Sequence, residues 1–329
     1  MTEGICLIGA GRIGQIHAAN FAALGSGILK YIVDPVTEAA AALAADTGAQ
    51  ATDLEIALAD QEVTGVVIAS ATNTHADLIE KAAHAGKAIF CEKPIDLDLQ
   101  RTTDCLSTAD SLGTPLLLGF NRRFDPNFAA LKASLDAGAV GTVEMVHITS
   151  RDPSPPPVSY IKTSGGLFKD MMIHDLDMAR WLLGEDPVEV SAMASCLTDP
   201  EIATAGDVDS ALVTLRTASG KLCQISNSRR AVYGYDQRIE VHGSIGLAQV
   251  GNQHDSTLSI NRGAGLQGDK IQHFFIERYA EAYKHEARHF QEILKGSATP
   301  LATGADGLKA LMLAEAALKS LQTGTTVQL

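Results

Sequence analysis

Gly9-Ala10-Gly11-Arg12-Ile13-Gly14 follows the apolar run Gly4–Ile8 and opens an amphipathic segment. Few local patterns restrict a fold as tightly. Between a strand and a helix, the first glycine permits a tight turn and the second lets a pyrophosphate approach the backbone. The third lets helix and strand pack closely. The free N–H groups at the helix start then face the phosphates. Glycines also serve plain turns, so the pattern needs support from elsewhere. Asp34 supplies it, at the end of the next strand-like run. An acidic residue there accepts bonds from the adenosine ribose and repels a 2′-phosphate, which predicts NAD rather than NADP. Lys30 and Arg12 are the nearby cations that would soften the repulsion.

The rest of the first 120 residues keeps the same rhythm. Strand-like runs at Gly4–Ile8, Ile28–Val33, Gly65–Ile68, Ala88–Cys91 and Pro115–Leu118 alternate with helical patterns near 12–24, 37–47, 74–85 and 98–112. Continuous apolar strands separated by helices predict a parallel sheet covered on both faces. Beyond 120 the rhythm changes. Helices are expected at 125–136, 170–183, 273–295 and 305–322. Strands at 143–150, 188–194, 210–217, 221–229, 238–242 and 248–250 follow one another across short turns, which predicts a mostly antiparallel sheet. The expected fold class is α/β: an N-terminal Rossmann doubly wound sheet over 1–120, then an α+β domain over 121–329.

Composition narrows the function. With 26 basic and 39 acidic residues the net charge is −13, and no basic run stands out. Nucleic acid is therefore not an expected partner, nor is an anionic membrane surface. Five scattered cysteines show neither zinc nor redox spacing. Met1 leads directly into a strand-like run without a leader pattern, and no apolar stretch approaches the ~18 residues of a membrane span. A cytoplasmic protein is expected.

Three segments carry candidate chemistry. In Gly165-Gly166-Leu167-Phe168-Lys169-Asp170-Met171-Met172-Ile173-His174, Asp170 and His174 stand four apart at an expected helix start. On an α-helix such side chains share a face, roughly 5–6 Å apart at Cβ. The carboxylate can orient the imidazole and stabilise its charged form, giving a proton-handling pair. The plainer reading makes Asp170 a helix N-cap and His174 a core histidine. A zinc site is a third use, for which no further ligand is evident. Cys91-Glu92-Lys93-Pro94 places a lysine just after a buried strand, where it can stabilise a developing alkoxide. Ala71-Thr72-Asn73-Thr74-His75 borders the same crevice, with Asn73 also suited to capping the next helix.

With these residues in view, the chain resembles the glucose–fructose oxidoreductase/inositol dehydrogenase/rhizopine catabolism protein family over essentially its full length. The glycine turn, Glu92-Lys93-Pro94, Gly119-Phe120-Asn121-Arg122-Arg123-Phe124 and the Gly165–Asp175 segment carry the resemblance. Ser150-Arg151-Asp152-Pro153 and Tyr233-Gly234-Tyr235-Asp236 place it closest to the bacterial inositol-oxidising branch. The resemblance implies Lys93, Asp170 and His174 as catalytic residues, and Asn121, Arg122 and Tyr233 beside them in the polyol pocket. Asn121 stands where an apolar residue is expected, which leaves stereoisomer preference open. Gly9, Gly11, Arg12, Ile13, Gly14 and Asp34, with Thr72, Asn73, His75, Glu92 and Lys93, are the expected NAD contacts. The expected reaction is oxidation of a secondary hydroxyl of a cyclic polyol to a ketone. A glucose-type sugar dehydrogenase is the main alternative and a non-catalytic NAD sensor the remote one. The family also implies a large open sheet in the second domain and a homotetramer or dimer packed through it.

Overall fold

The computed structural model describes residues 3–329. Compactness divides the chain into Met1–Phe124 with Glu281–Leu311, and Asp125–Ala280 with Met312–Leu329. One boundary near 120 does not anticipate the return of 281–311 to the first unit.

Among the described residues of the first unit, β1 (Gly4–Ile8), β2 (Leu29–Val33), β3 (Gln50–Ala51), β4 (Val63–Ile68), β5 (Ala88–Cys91) and β6 (Leu116–Leu118) form one sheet. All its pairings are parallel, in the order β3-β2-β1-β4-β5-β6. The helices α1 (Arg12–Ala22), α2 (Thr37–Thr47), α3 (Leu54–Ala59), α4 (His75–His84) and α5 (Leu99–Ser111) connect the strands. The order reverses between β1 and β4, and ligands of such sheets bind beside the strand ends at that reversal. β1, β4 and β5 are apolar and almost wholly buried, as strands covered on both faces must be. The return segment supplies part of the cover. Phe290 sits 6.1 Å from Phe21 and 5.8 Å from Phe90 between ring centroids. Each buried ring contributes roughly 1.5–3 kcal/mol. Gly65 makes room for it, since a Cβ there would meet Phe290 and Leu294 at 3.0 and 2.9 Å.

In the second unit, α6 (Pro126–Asp136) starts on Asp125, whose carboxylate accepts the N–H groups of Asn127 and Phe128 and pairs with buried Arg278. The strands β7 (Val143–Arg151), β8 (Pro187–Ser195), β9 (Ser210–Thr217), β10 (Leu222–Ser228), β11 (Asp236–Gly243) and β12 (Gly246–Val250) follow, with a separate hairpin β13 (Ser259–Arg262) and β14 (Gly265–Gly268). Between them lie α7 (Val158–Ser164), α8 (Ile173–Leu183) and α9 (Pro200–Thr204). Then come α10 (Phe275–Arg278), α11 (Ala280–Leu294), which belongs to the first unit from Glu281 on, α12 (Gly304–Thr323), divided between the units after Leu311, and β15 (Val327–Gln328). The sheet order is β12-β11-β7-β10-β9-β8-β15, and β7 with β10 is its one parallel pair among the described residues. Alternation sends Val146, Ile148, Val213, Leu215, Ile225 and Val241 inward. It leaves Met145, Met193, Leu212, Leu222 and Leu247 exposed on the strands.

Candidate active site

The glycine turn has the geometry its sequence predicts. Gly9 adopts φ +106°, and a Cβ there would stand 2.5 Å from the Ala69 carbonyl oxygen. A Cβ on Gly14 would stand 2.0 Å from the carbonyl oxygen of Gly9, so this glycine presses helix onto turn. Gly11 differs: nothing lies within 4 Å of its Cβ position. It is also the N-cap of α1, whose first turn holds no acidic residue and no side-chain cap. One glycine thus leaves room while two enforce contact, and that division suits a pyrophosphate at the helix start. Arg12 is exposed at the first position of α1 and Ile13 half-buried behind it.

Asp34 follows β2. Its Oδ2 accepts the Ala10 N–H at 2.7 Å and its Oδ1 the Val36 N–H at 2.8 Å. The expected ribose acceptor therefore also clamps the glycine turn. Lys30 does not stand beside it. It lies near the other end of β2 and pairs with Asp60 at 2.7 Å and with Glu62. The reason is the strand itself: three residues of extended chain, Tyr31 to Val33, separate Lys30 from Asp34.

The loop after β4 forms a 3₁₀ turn at Thr72–Thr74. Asn73 is exposed and does not cap α4, whose N-cap is Thr74 without a side-chain bond. His75 is 1% exposed, and both ring nitrogens meet carbonyl oxygens, Nδ1 that of Pro94 at 2.8 Å and Nε2 that of Ser70 at 3.1 Å. The ring thus lies between two crevice loops, the one after β4 and the one after β5. Lys93 is half-buried, and its peptide bond to Pro94 is cis. Glu92 turns inward instead, where Oε1 lies 2.7 Å from Nε2 of buried His17. The wholly buried Glu286 of α11 belongs to the same cluster. Burial first, and the charge of Glu92 second, push its carboxyl well above the ordinary range. Asn121 and Arg122 are both buried in a 3₁₀ turn at Asn121–Phe124.

In the second unit the helix expected at 170–183 is two structures. Leu167–Met171 form a π turn, closed by Met172 N–H donating to the Leu167 carbonyl at 2.8 Å, and α8 begins only at Ile173. Asp170 therefore precedes the α-helix that holds His174, and simple α-helical i, i+4 geometry does not describe the pair. The N-cap of α8 is Met172, without a side-chain bond, so Asp170 is not a capping residue. Its Oδ1 accepts the Tyr160 hydroxyl at 3.0 Å, and its Oδ2 lies 3.9 Å from Arg229 Nη2. The glycine pair explains the path: Gly165 and Gly166 take φ +88° and +75°, closed to most side chains. Asp175 and Asp177 are buried structural acids, the former accepting Asn227 Nδ2 at 2.9 Å. Tyr233 is half-exposed and donates to Asp236 at 2.7 Å, with Arg151 at 3.3 Å. Burial and that bond raise its hydroxyl pKa, so it meets a ligand as a neutral phenol.

Sequence reasoning missed Tyr160, Asp207, Arg229 and Glu286. The run around Arg229 reads as ordinary strand, and nothing local says that this arginine is buried while Arg230 is exposed.

The sheet order and the glycine turn define a dinucleotide-binding unit. Residues 4–120 match the model described as oxidoreductase family, NAD-binding Rossmann fold, and residues 128–249 match the GFO/IDH/MocA C-terminal domain. The chain belongs to this family of NAD-binding oxidoreductases. It is 51% identical to the inositol 2-dehydrogenase of Rhizobium meliloti (strain 1021) over 97% of each chain. It is 43% identical to the myo-inositol 2-dehydrogenase of Thermotoga maritima over 99% of this chain and 98% of that one. A myo-inositol dehydrogenase structure from Corynebacterium glutamicum ATCC 13032 matches at TM-score 0.95 and 44% identity, covering 100% and 99% of the chains. The scyllo-inositol dehydrogenase of Lactobacillus casei, with bound NAD(H) and scyllo-inositol, matches at 0.91 and 27% identity over 100% and 99%.

Proposed function

We propose that this chain is an NAD-dependent inositol 2-dehydrogenase, oxidising a ring hydroxyl of myo- or scyllo-inositol to the ketone. The carrying observation is that Asp170 is kept off the helix end and held by Tyr160 and Arg229. His174 takes the hydroxyl proton, while Asp170 orients the ring and stabilises its charge. Lys93 binds the same oxygen and stabilises the alkoxide as it develops. Bound NAD supplies the hydride acceptor. Gly9, Gly11 and Gly14 shape its pyrophosphate seat, Asp34 takes the ribose hydroxyls, and Tyr233 and Asn121 offer hydrogen bonds to the polyol. The names of the relatives support this substrate class.

No described helix is long and apolar enough to cross a membrane. We place the enzyme in the cytoplasm and assign it a homotetramer or dimer built on the exposed face of the β7–β12 sheet. Leu247, Met145 and Leu222 form a row there through His242, in cross-strand register. Leu212→Glu is expected to yield a smaller species in light scattering.

The deciding assay follows NAD and NADP reduction with myo-inositol, scyllo-inositol and glucose. Turnover of an inositol with NAD is expected. No activity with any polyol overturns the reading, and preference for glucose moves it to the sugar-oxidising branch.

A further inference from the structure

Arg229 heads the largest fully buried side chains of the described chain, at 1% exposure. Burying a guanidinium is costly unless its charge is used. Here Nη2 lies 3.7 Å from Asp207 Oδ2 and 3.9 Å from Asp170 Oδ2. Asp207 is committed on its other side. Both its oxygens accept the N–H of Leu167, the first residue of the π turn, at 3.1 and 3.0 Å. A Cβ on Gly166 would stand 2.7 Å from Asp207 Oδ1, so a glycine there admits this approach. Asp207 thus holds the front of the turn that carries Asp170, and Arg229 faces both acids.

We propose that Arg229 is a positioning residue for the Asp170–His174 pair, dividing one fixed positive charge between Asp207 and Asp170 and so setting how readily His174 accepts a proton. This deepens the proposed function and rests on its assignment of that pair. The other charged groups nearby have partners of their own. Tyr160 of α7 donates to Asp170. Lys169 is paired with Glu315 of α12 at 3.0 Å, and Asp175 of α8 accepts from Asn227. Asp209 accepts three backbone N–H groups from Leu197, Thr198 and Asp199, and Arg230 reaches the Leu197 carbonyl. Arg229 itself faces both Asp170 and Asp207.

The test is the pH profile of kcat/KM for inositol oxidation, whose acid limb reports the essential base of the free enzyme. Removing a cation favours the protonated imidazole, so Arg229→Met moves the limb up by about one pH unit. Arg229→Lys keeps the charge and leaves the limb in place. Asp207→Asn removes a negative charge while still accepting from Leu167, and moves the limb down. This variant leaves one cation with one anion, so it decides the matter if Arg229→Met does not fold. Unmoved limbs, with only thermal stability lost, overturn the proposal and make Arg229 a structural brace. His174→Ala separates the two levels: near-normal turnover there sinks the assignment of the pair itself, whereas an inactive His174→Ala beside unmoved limbs sinks only the role of Arg229.

Discussion

The Tyr160 hydroxyl donates to Asp170 Oδ1 at 3.0 Å, tethering the acid of the π turn to the helix before the glycine pair. Tyr160 is 49% exposed, so the bond lies at the weak end for one to a charged group. Its loss is worth about 1 kcal/mol, or roughly fivefold in rate. Tyr160→Phe is expected to lower kcat by about that factor in steady-state assays and to lower stability by no more than about 1 kcal/mol. Unchanged kcat would show that Asp170 keeps its place without the tether.

Gly11 and Gly14 separate binding from folding. Alanine at 14 puts a Cβ 2.0 Å from a backbone oxygen. It should cost roughly 3 kcal/mol or more, seen as a large fall in Tm. Alanine at 11 meets nothing within 4 Å and has an ordinary φ of −71°. Its Tm should stay near that of the parent while NAD binds ~10-fold or more weakly by titration, a loss of about 1.4 kcal/mol. Intact NAD affinity in Gly11→Ala would remove the pyrophosphate from this turn.

Asp34 does two jobs, so Asp34→Ala should show two effects. Losing the bonds from Ala10 and Val36 should lower stability by about 1–3 kcal/mol. Losing the carboxylate should narrow the preference for NAD over NADP in kcat/KM. A variant that loses stability but keeps full discrimination would place cofactor selection elsewhere.

Glu286 gives stability a pH dependence. Its folded carboxyl titrates well above the usual range, chiefly through burial. Below the unfolded value, roughly pH 4.3, both states hold the proton and the group makes no difference. As pH rises further the unfolded chain releases its proton and the folded chain does not, so stability falls with pH. Glu286→Gln removes this slope. Its Tm relative to the parent should improve steadily from pH 5 to pH 8, and a constant or shrinking difference would show Glu286 to be ionised in the fold.

Much of the first unit is legible in the sequence because its signals are local. β1 and β5 have the predicted ends, and α2 matches residue for residue, since apolar runs, glycines and alanine-rich stretches act over a few positions. The short helices α3, α7 and α9 were not anticipated, because five to seven residues carry too little periodicity to register. The return of 281–311 depends on Phe290 finding Phe21 and Phe90 far away in the chain. At the site, Asp170, His174 and Lys93 were recognisable as residue types. The π turn was not, because a helix pattern read from side chains does not reveal one extra backbone residue per turn. Arg229 was invisible for a related reason: tertiary packing, not its neighbours in sequence, buries it.

The central claim is that His174 is the base of an inositol oxidation. The direct test measures NAD reduction by purified parent and His174→Ala enzymes with myo- and scyllo-inositol, alongside NAD affinity. The account predicts that turnover falls roughly 10²–10⁴-fold while NAD binding is retained. Turnover within a few-fold of the parent would contradict it.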